Sequence, residues 1–202
     1  MSGSLNDRGS GTGGEIIHCL DLSYRPGSLA LEDVAYPVAA IVRKAGEEAK
    51  IVHYTGVGTG LPPGTDAVIL CGTALKDTRY LGRPELFCWL PEAPVPVLGI
   101  CAGMQVISTV HGGETEAGCE IGMTDIEVVR PDPLFAGKDC FQAYELHTLA
   151  CTPPPGFWAL AVSGTCVQAI RHRKKAVYGI MFHPEVRNEW LVERFLGMGR
   201  SL

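Results

Sequence analysis

"PVLGICAGMQVISTVHGG", residues 96–113, is the stretch on which the reading of this chain turns. An apolar run ends at Cys101, with Gly99 two residues before the thiol and Gly103 two residues after it. A short, uninterrupted apolar run suits a strand covered on both faces. The segment after it reads as a helix closed by Gly112 and Gly113. A strand that passes straight into a helix lifts one side chain clear of the sheet, provided glycines let the neighbouring backbone crowd together. The lifted residue then sits at a helix N-terminus, where free N–H groups and the positive dipole end favour an anion. For a cysteine that means a larger thiolate fraction. The N–H of Ala102 points where an oxyanion would form. A small buried hydrophobe is the plainer reading of a lone G-x-C-x-G. Its place at the carboxyl end of a central strand, before a helix, favours the nucleophile.

Outward from this stretch the pattern repeats. "EIIHCLDLS" (15–23), "AKIVHYTG" (49–56) and "DAVILCG" (66–72) read as strands, the last a continuous apolar run. Residues 30–46 carry Val34, Val38, Ile41, Val42 and Ala45 at helical spacing, and Pro37 either starts the helix proper or kinks it. "ALKDTRYLGRPELFCWL" (74–90) reads as a helix interrupted near Gly82-Arg83-Pro84. Alternating buried strands and helices imply a parallel sheet with helices on both faces.

The second half differs. "MTDIEVV" (123–129), "CFQAYELHTL" (140–149), "FWALAVSG" (157–164), "VQAIRH" (167–172) and "AVYGIMF" (176–182) read as short strands, several at hairpin spacing. "VRNEWLVERFLGMG" (186–199) reads as a final helix. The fold class expected is therefore α/β: a mostly parallel, flavodoxin-like central sheet plus a small antiparallel β section. Residues 15–202 read as one domain. Residues 1–14, rich in Gly and Ser, read as a disordered tail.

Composition sets bounds. With 46% hydrophobic and 19% charged residues, 202 residues can build a sizeable core. A net charge of −5 argues against a nucleic-acid or anionic-membrane surface. No apolar run approaches the roughly 18–20 residues of a membrane helix, and the N-terminus lacks the pattern of a secretory signal. The eight cysteines include no C-x-x-C pair, so no metal site is expected, and they read as reduced thiols of a cytoplasmic protein. No G-x-x-x-x-G-K-[ST] loop is present; "GVGTG" (56–60) lacks the lysine.

A thiolate mechanism needs a base and a group to orient it. His18 and His53 lie inside strand patterns, His111 lies about three turns along the elbow helix, and His172 sits in "RHRKK". That basic run reads as a solvated hairpin tip, with partner docking as the sharper alternative. His183, in "YGIMFHPEV", ends a strand before Pro184. Pro184 holds its predecessor extended, so His183 and Glu185, two apart, face one site.

Cys101 followed by His183-Pro184-Glu185 resembles the class I glutamine amidotransferases, over roughly residues 15–200, and most of all the separate amidotransferase subunits of GMP synthases. The resemblance implies that Cys101, His183 and Glu185 are a catalytic triad that hydrolyses L-glutamine through a thioester. It implies an oxyanion hole from Ala102 and a main-chain N–H of Gly72 or Thr73. Gln105 and the loop of Leu146, His147 and Thr148 match positions at the glutamine pocket, with that loop thought to sense the partner. Ammonia would pass to an ATP-using synthetase subunit, and no cofactor is implied. Two departures stand out. The family's Gly-Gly-Pro turn is "CGTALKD" (71–77) here, and its Ser-His-x-Asp loop is "LHTL" (146–149). A stand-alone γ-glutamyl hydrolase-like peptidase and a catalytically weak regulatory protein are the alternatives.

Overall fold

One nine-stranded sheet organises the computed structural model, which describes residues 14–58 and 60–199. The expected tail lies outside the described residues, apart from Gly14. The strands are β1 (Ile16–Asp21), β2 (Glu48–His53), β3 (Ala67–Leu70), β4 (Val97–Ile100), β5 (Thr115–Val128), β6 (Cys140–Cys151), β7 (Phe157–Val162), β8 (Val167–His172) and β9 (Val177–Ile180). Their order is β2-β1-β3-β4-β9-β8-β7-β5-β6. The pairs from β2 to β9 are parallel and those from β9 to β6 antiparallel. The parallel half repeats the 2-1-3-4-5 order of flavodoxin-like sheets. The antiparallel section is larger than expected and is continuous with the parallel one. β5 begins at Thr115, where the alternation of "TEAGCEIG" is too polar to announce a strand, and it reaches Val128.

Burial follows position. β3, β4 and β9 are buried at every residue, as strands covered on both faces must be, whereas edge strand β2 is half exposed. Among the described residues three α-helices cover the sheet: α1 (Tyr36–Lys44), α2 (Ala102–Val110) and α3 (Glu189–Gly199). Side chains alternate along a strand, and this fixes which helix lies where. A Cβ on Gly179 would meet Met104 of α2 at 2.8 Å, while its neighbour Tyr178 packs edge-on against Phe195 of α3, centroids 6.3 Å apart. So α2 and α3 occupy opposite faces. α1 joins α3 through Lys44 Nζ and Glu189 Oε2, 2.7 Å apart.

Two local expectations are revised. Residues 31–35 form a wide helical turn, in which the Tyr36 N–H donates to the Leu31 carbonyl, and the regular α-helix begins with Tyr36 and Pro37. Pro37 thus starts that helix, where its missing N–H costs nothing. Residues 74–90 form no α-helix. They make 3₁₀ turns at Arg79–Gly82 and Pro84–Phe87, followed by Leu90–Glu92, because Gly82, Pro84 and Pro91 break the hydrogen-bond ladder each time it starts.

The core runs along both faces of the parallel half and continues under β7 and β8. The tip "RHRKK" precedes β9, at the end of the parallel strands opposite Cys101. There Arg171 Nη1 pairs with Asp132 Oδ2 at 2.8 Å, and Lys175 bonds the Pro91 carbonyl.

Candidate active site

Neighbouring strands β3, β4 and β9 end together, and their carboxyl ends supply Gly72–Thr73, Cys101 and His183. This is where a parallel α/β sheet places its ligands. The elbow between β4 and α2 has Cys101 at φ 49°, ψ −103°; among the described residues, no other non-glycine has a positive φ. Such a conformation costs on the order of 1–3 kcal/mol and persists only where its surroundings impose it. Here close packing imposes it. A Cβ on Gly99 would lie 2.5 Å from the Gly103 backbone, and one on Gly103 would lie 2.2 Å from the Leu70 carbonyl oxygen. Both glycines are needed so that the first turn of α2 can lie on β3 and β4.

Cys101 is 5% exposed, and its thiol points at the Leu146 carbonyl, 3.9 Å away. His183 is buried, and its Nδ1–H donates to Glu185 Oε1 at 2.7 Å. Its main-chain N–H donates to the Tyr144 carbonyl at 2.9 Å, tying the end of β9 to β6. His183 and Glu185 do meet, though not along extended chain. His183 to Val186 is a tight turn, closed by the Val186 N–H on the His183 carbonyl at 3.2 Å. Burial opposes a charged imidazole, but the Cys101 sulfur and the Glu185 carboxylate outweigh it and hold His183 well above its usual value. No hydrogen bond occupies Nε2, the nitrogen left for the sulfur side.

Gly72 backs directly onto the imidazole: a Cβ there would sit 2.9 Å from His183 Cε1. Thr73 is buried beside it, and its hydroxyl donates to Asp77 Oδ2 at 3.2 Å. Ala102 opens α2, so its N–H lacks an intrahelical acceptor. Gln105, a turn further on, is buried. It accepts from the Tyr80 hydroxyl at 2.5 Å and donates to the Leu149 carbonyl at 3.1 Å.

Two cavities meet at this site. One is lined by Cys101, Ala102, Gln105, Tyr80 and the strand from Leu146 to Leu149. The other, which is larger, is lined by His183, Glu185, Tyr144 and residues of the loop after β1, among them Tyr24 and Leu29. Thr73, Ala74 and Leu146 border both.

All ten residues singled out in the sequence are thus in this region. His147 differs in orientation, because alternation along β6 turns its imidazole away from Leu146 and Thr148. It donates through Nδ1 to the Gly118 carbonyl at 2.9 Å, and Nε2 lies between Glu120 and Glu145. Sequence reasoning missed Tyr80 and Asp77, hidden in the misread helix, and Tyr144, whose tyrosine in a strand pattern carried no signal. The other histidines have structural partners, such as Thr65 for His18 and the Ile107 carbonyl for His111. All eight cysteines are free thiols.

This fold and this triad geometry are those of a class of enzyme that uses a cysteine nucleophile at a strand–helix elbow. Residues 32–194 match the class-I glutamine amidotransferase family, and the chain belongs to it. It is 36% identical over 151 residues to one of the subunits of the glutamine-hydrolysing GMP synthase of Archaeoglobus fulgidus, an alignment covering 72% of this chain and 79% of that one. It is 30% identical over 165 residues to the GMP synthase of Clostridium novyi, covering 79% of this chain but 32% of that longer protein. The chain therefore spans about a third of the full-length synthase. In fold it resembles a glutamine amidotransferase from Thermotoga maritima, with a TM-score of 0.67 at 18% identity over 92% of this chain and 82% of that one. A structure assigned as a GMP synthase subunit from Thermoplasma acidophilum superposes with a TM-score of 0.78 at 24% identity, covering 92% and 94% of the two chains. Among the described residues no helix is long and apolar enough to cross a membrane.

Proposed function

We propose that this chain hydrolyses L-glutamine and delivers the ammonia to a separate ATP-using synthetase of the GMP synthase type. The observation that carries the reading is the 2.7 Å His183–Glu185 bond behind a cysteine held at positive φ on the β4–α2 elbow. Glutamine enters the Cys101 cavity, where Gln105, Tyr80 and the main chain of 146–149 supply polar partners. The Cys101 thiolate attacks the side-chain amide carbon, and the carbonyl π pair moves onto oxygen. The Ala102 N–H and a main-chain N–H at Gly72 or Thr73 hold that oxyanion. The tetrahedral adduct collapses, His183 gives its proton to the leaving nitrogen, and ammonia and a thioester result. His183 then takes a proton from water as its oxygen attacks the thioester. Glutamate leaves and the thiol is restored. Glu185 fixes the imidazole with Nδ1 protonated, so that Nε2 faces the sulfur.

Gln105 and the 146–148 strand shape the pocket around the amino-acid end of glutamine. The synthetase reading rests on the relatives that are separate GMP synthase subunits and on an apolar rim. Tyr24, Leu29 and Val186 are 41%, 84% and 56% exposed, and all three line the His183 cavity. Apolar side chains clustered at a cavity mouth mark a protein interface. The test is a glutaminase assay on the isolated chain and on its complex with the co-purifying protein. Glutamate release that needs Cys101, and that the partner accelerates, supports the reading. Turnover of γ-glutamyl peptides in preference to glutamine would replace it with a peptidase.

A further inference from the structure

His147 is the starting point. Its side chain is 1% exposed, and Nε2 has no hydrogen bond. The nitrogen lies 3.3 Å from Glu120 Oε2 and 3.3 Å from Glu145 Oε2, aligned for a hydrogen bond to neither. Both oxygens of fully buried Glu145 also lack hydrogen bonds. The Cys166 sulfur lies 3.3 Å from the same Glu120 oxygen. One donor atom each from Glu120, His147 and Cys166 falls within 4.8 Å of the others.

We propose that Glu120, His147 and Cys166, with Glu145 beside His147, form a binding site for one zinc-class divalent ion. Tetrahedral zinc, with bonds of about 2.0–2.3 Å, spaces its ligand atoms about 3.3–3.7 Å apart. The His147–Glu120 and Cys166–Glu120 separations of 3.3 Å match that spacing, and the His147 and Cys166 donor atoms lie within 4.8 Å of each other. The imidazole is already set for the task. Its Nδ1–H is held by the Gly118 carbonyl, so Nε2 is the nitrogen that faces the carboxylates, the usual outer arrangement of a metal-bound histidine. Gln168 Nε2 supports Glu120 Oε2 at 2.6 Å in the same way.

Local structure explains how four distant residues converge. Glu120 and His147 are cross-strand partners on β5 and β6, and the register shift between Ala117 and Glu120 aims Glu120 inward. Glu145 shares the inner face of β6 with His147, and Cys166 comes from the turn joining β7 to β8. Cys166 also lines an open surface cavity, a route of access for the ion. On binding, the Cys166 thiol proton passes to solvent and sulfur bonds the ion as thiolate. His147 binds through unprotonated Nε2 and the glutamates as carboxylates, so any proton held on Nε2 or on Glu145 also passes to solvent as the ion enters. The ion would clip the β5–β6 hairpin to the β7–β8 turn and steady Leu146 and Thr148, which flank His147 on the glutamine pocket. This inference does not depend on the glutaminase reaction.

The test uses the full chain, stripped with a chelator and titrated with Co²⁺ and then Zn²⁺. One Co²⁺ per chain is expected, with the sulfur-to-cobalt charge-transfer band and the strong visible bands of a tetrahedral site, both bleached by one equivalent of Zn²⁺. Zn²⁺ should raise the thermal midpoint by about 5 °C or more. Cys166→Ser and His147→Ala should lose the cobalt bands. Cys101→Ser, Cys88→Ser, Cys119→Ser and Cys140→Ser should keep them. Cys166→Ser is the lesser perturbation, and its far-UV circular dichroism checks that the fold survives. Failure to bind Co²⁺ at micromolar concentration, or bands that survive Cys166→Ser, or bands that vanish with Cys101→Ser, would overturn the site.

Discussion

Gly72 shows how narrowly the site is drawn. It is not a turn residue by conformation. Glycine is needed because His183 and Val34 fill the space where a Cβ would go, at 2.9 and 3.3 Å. Gly72→Ala should displace the imidazole by a few tenths of an ångström and lower kcat/KM by about 10–100-fold, with smaller effects on stability, since misplacement by an ångström costs that order. Steady-state glutaminase kinetics beside thermal melting separate the two. Cys101→Ala should lower kcat by a factor on the order of 10⁴ or more. A glutamine analogue with an electrophilic carbon should label Cys101 alone among the eight cysteines, read by peptide mass spectrometry. His183 supplies a pH test. Its folded value lies well above 6.5, so its contribution to stability is complete below about pH 6.5, the unfolded value, and fades as pH rises through the folded value. Glu185→Gln should move the His183 titration downward, as followed by NMR of its ring protons, and should flatten that part of the stability–pH curve.

Among the elements, α2 depends most on its seating. Gly103→Ala would drive a methyl into the Leu70 carbonyl, which no side-chain rotation relieves. Overpacking of this kind costs about 1–3 kcal/mol or more, so the urea midpoint should fall and activity should fall with it, because the elbow moves. A parallel loss in both measurements is the expected outcome; an unchanged midpoint would contradict the seating. This is also the scale at which the sequence was most and least informative. β3, β4 and the elbow were legible because a buried strand and a glycine-flanked thiol leave continuous, local signatures. The 74–90 segment misled because its apolar spacing is helical while Gly82, Pro84 and Pro91 forbid the ladder. His183 and Glu185 were found from residues two apart, although a turn, not extended chain, brings them together. The Glu120–His147–Cys166 cluster left no trace, since strand pairing and a register shift assemble it from three separate segments.

For the whole molecule, the antiparallel strands extend the parallel sheet and bring β6 across the mouth of the Cys101 cavity. Leu146 and the His183 anchor on Tyr144 both come from that extension. The antiparallel section, whose strands were legible but whose joining to the parallel sheet was not, therefore walls the site. The rim of Tyr24, Leu29 and Val186 belongs to this scale. Leu29→Asp should weaken the complex with the synthetase and lower glutamine-dependent product formation more than ammonia-dependent formation. Assaying the complex with each nitrogen source checks this; equal loss with both would place the partner elsewhere.

The backbone at Cys101 has one more consequence. At most positions alanine is the sturdier replacement and glycine the weaker, by about 0.5–1 kcal/mol. At φ 49° that ranking inverts, since glycine adopts such angles freely and alanine does not. Of two equally dead enzymes, the one carrying Cys101→Gly should melt later than the one carrying Cys101→Ala. Reactivity at this corner is held at the expense of durability, and the native thiol sits where a protein selected for endurance alone would have placed no side chain.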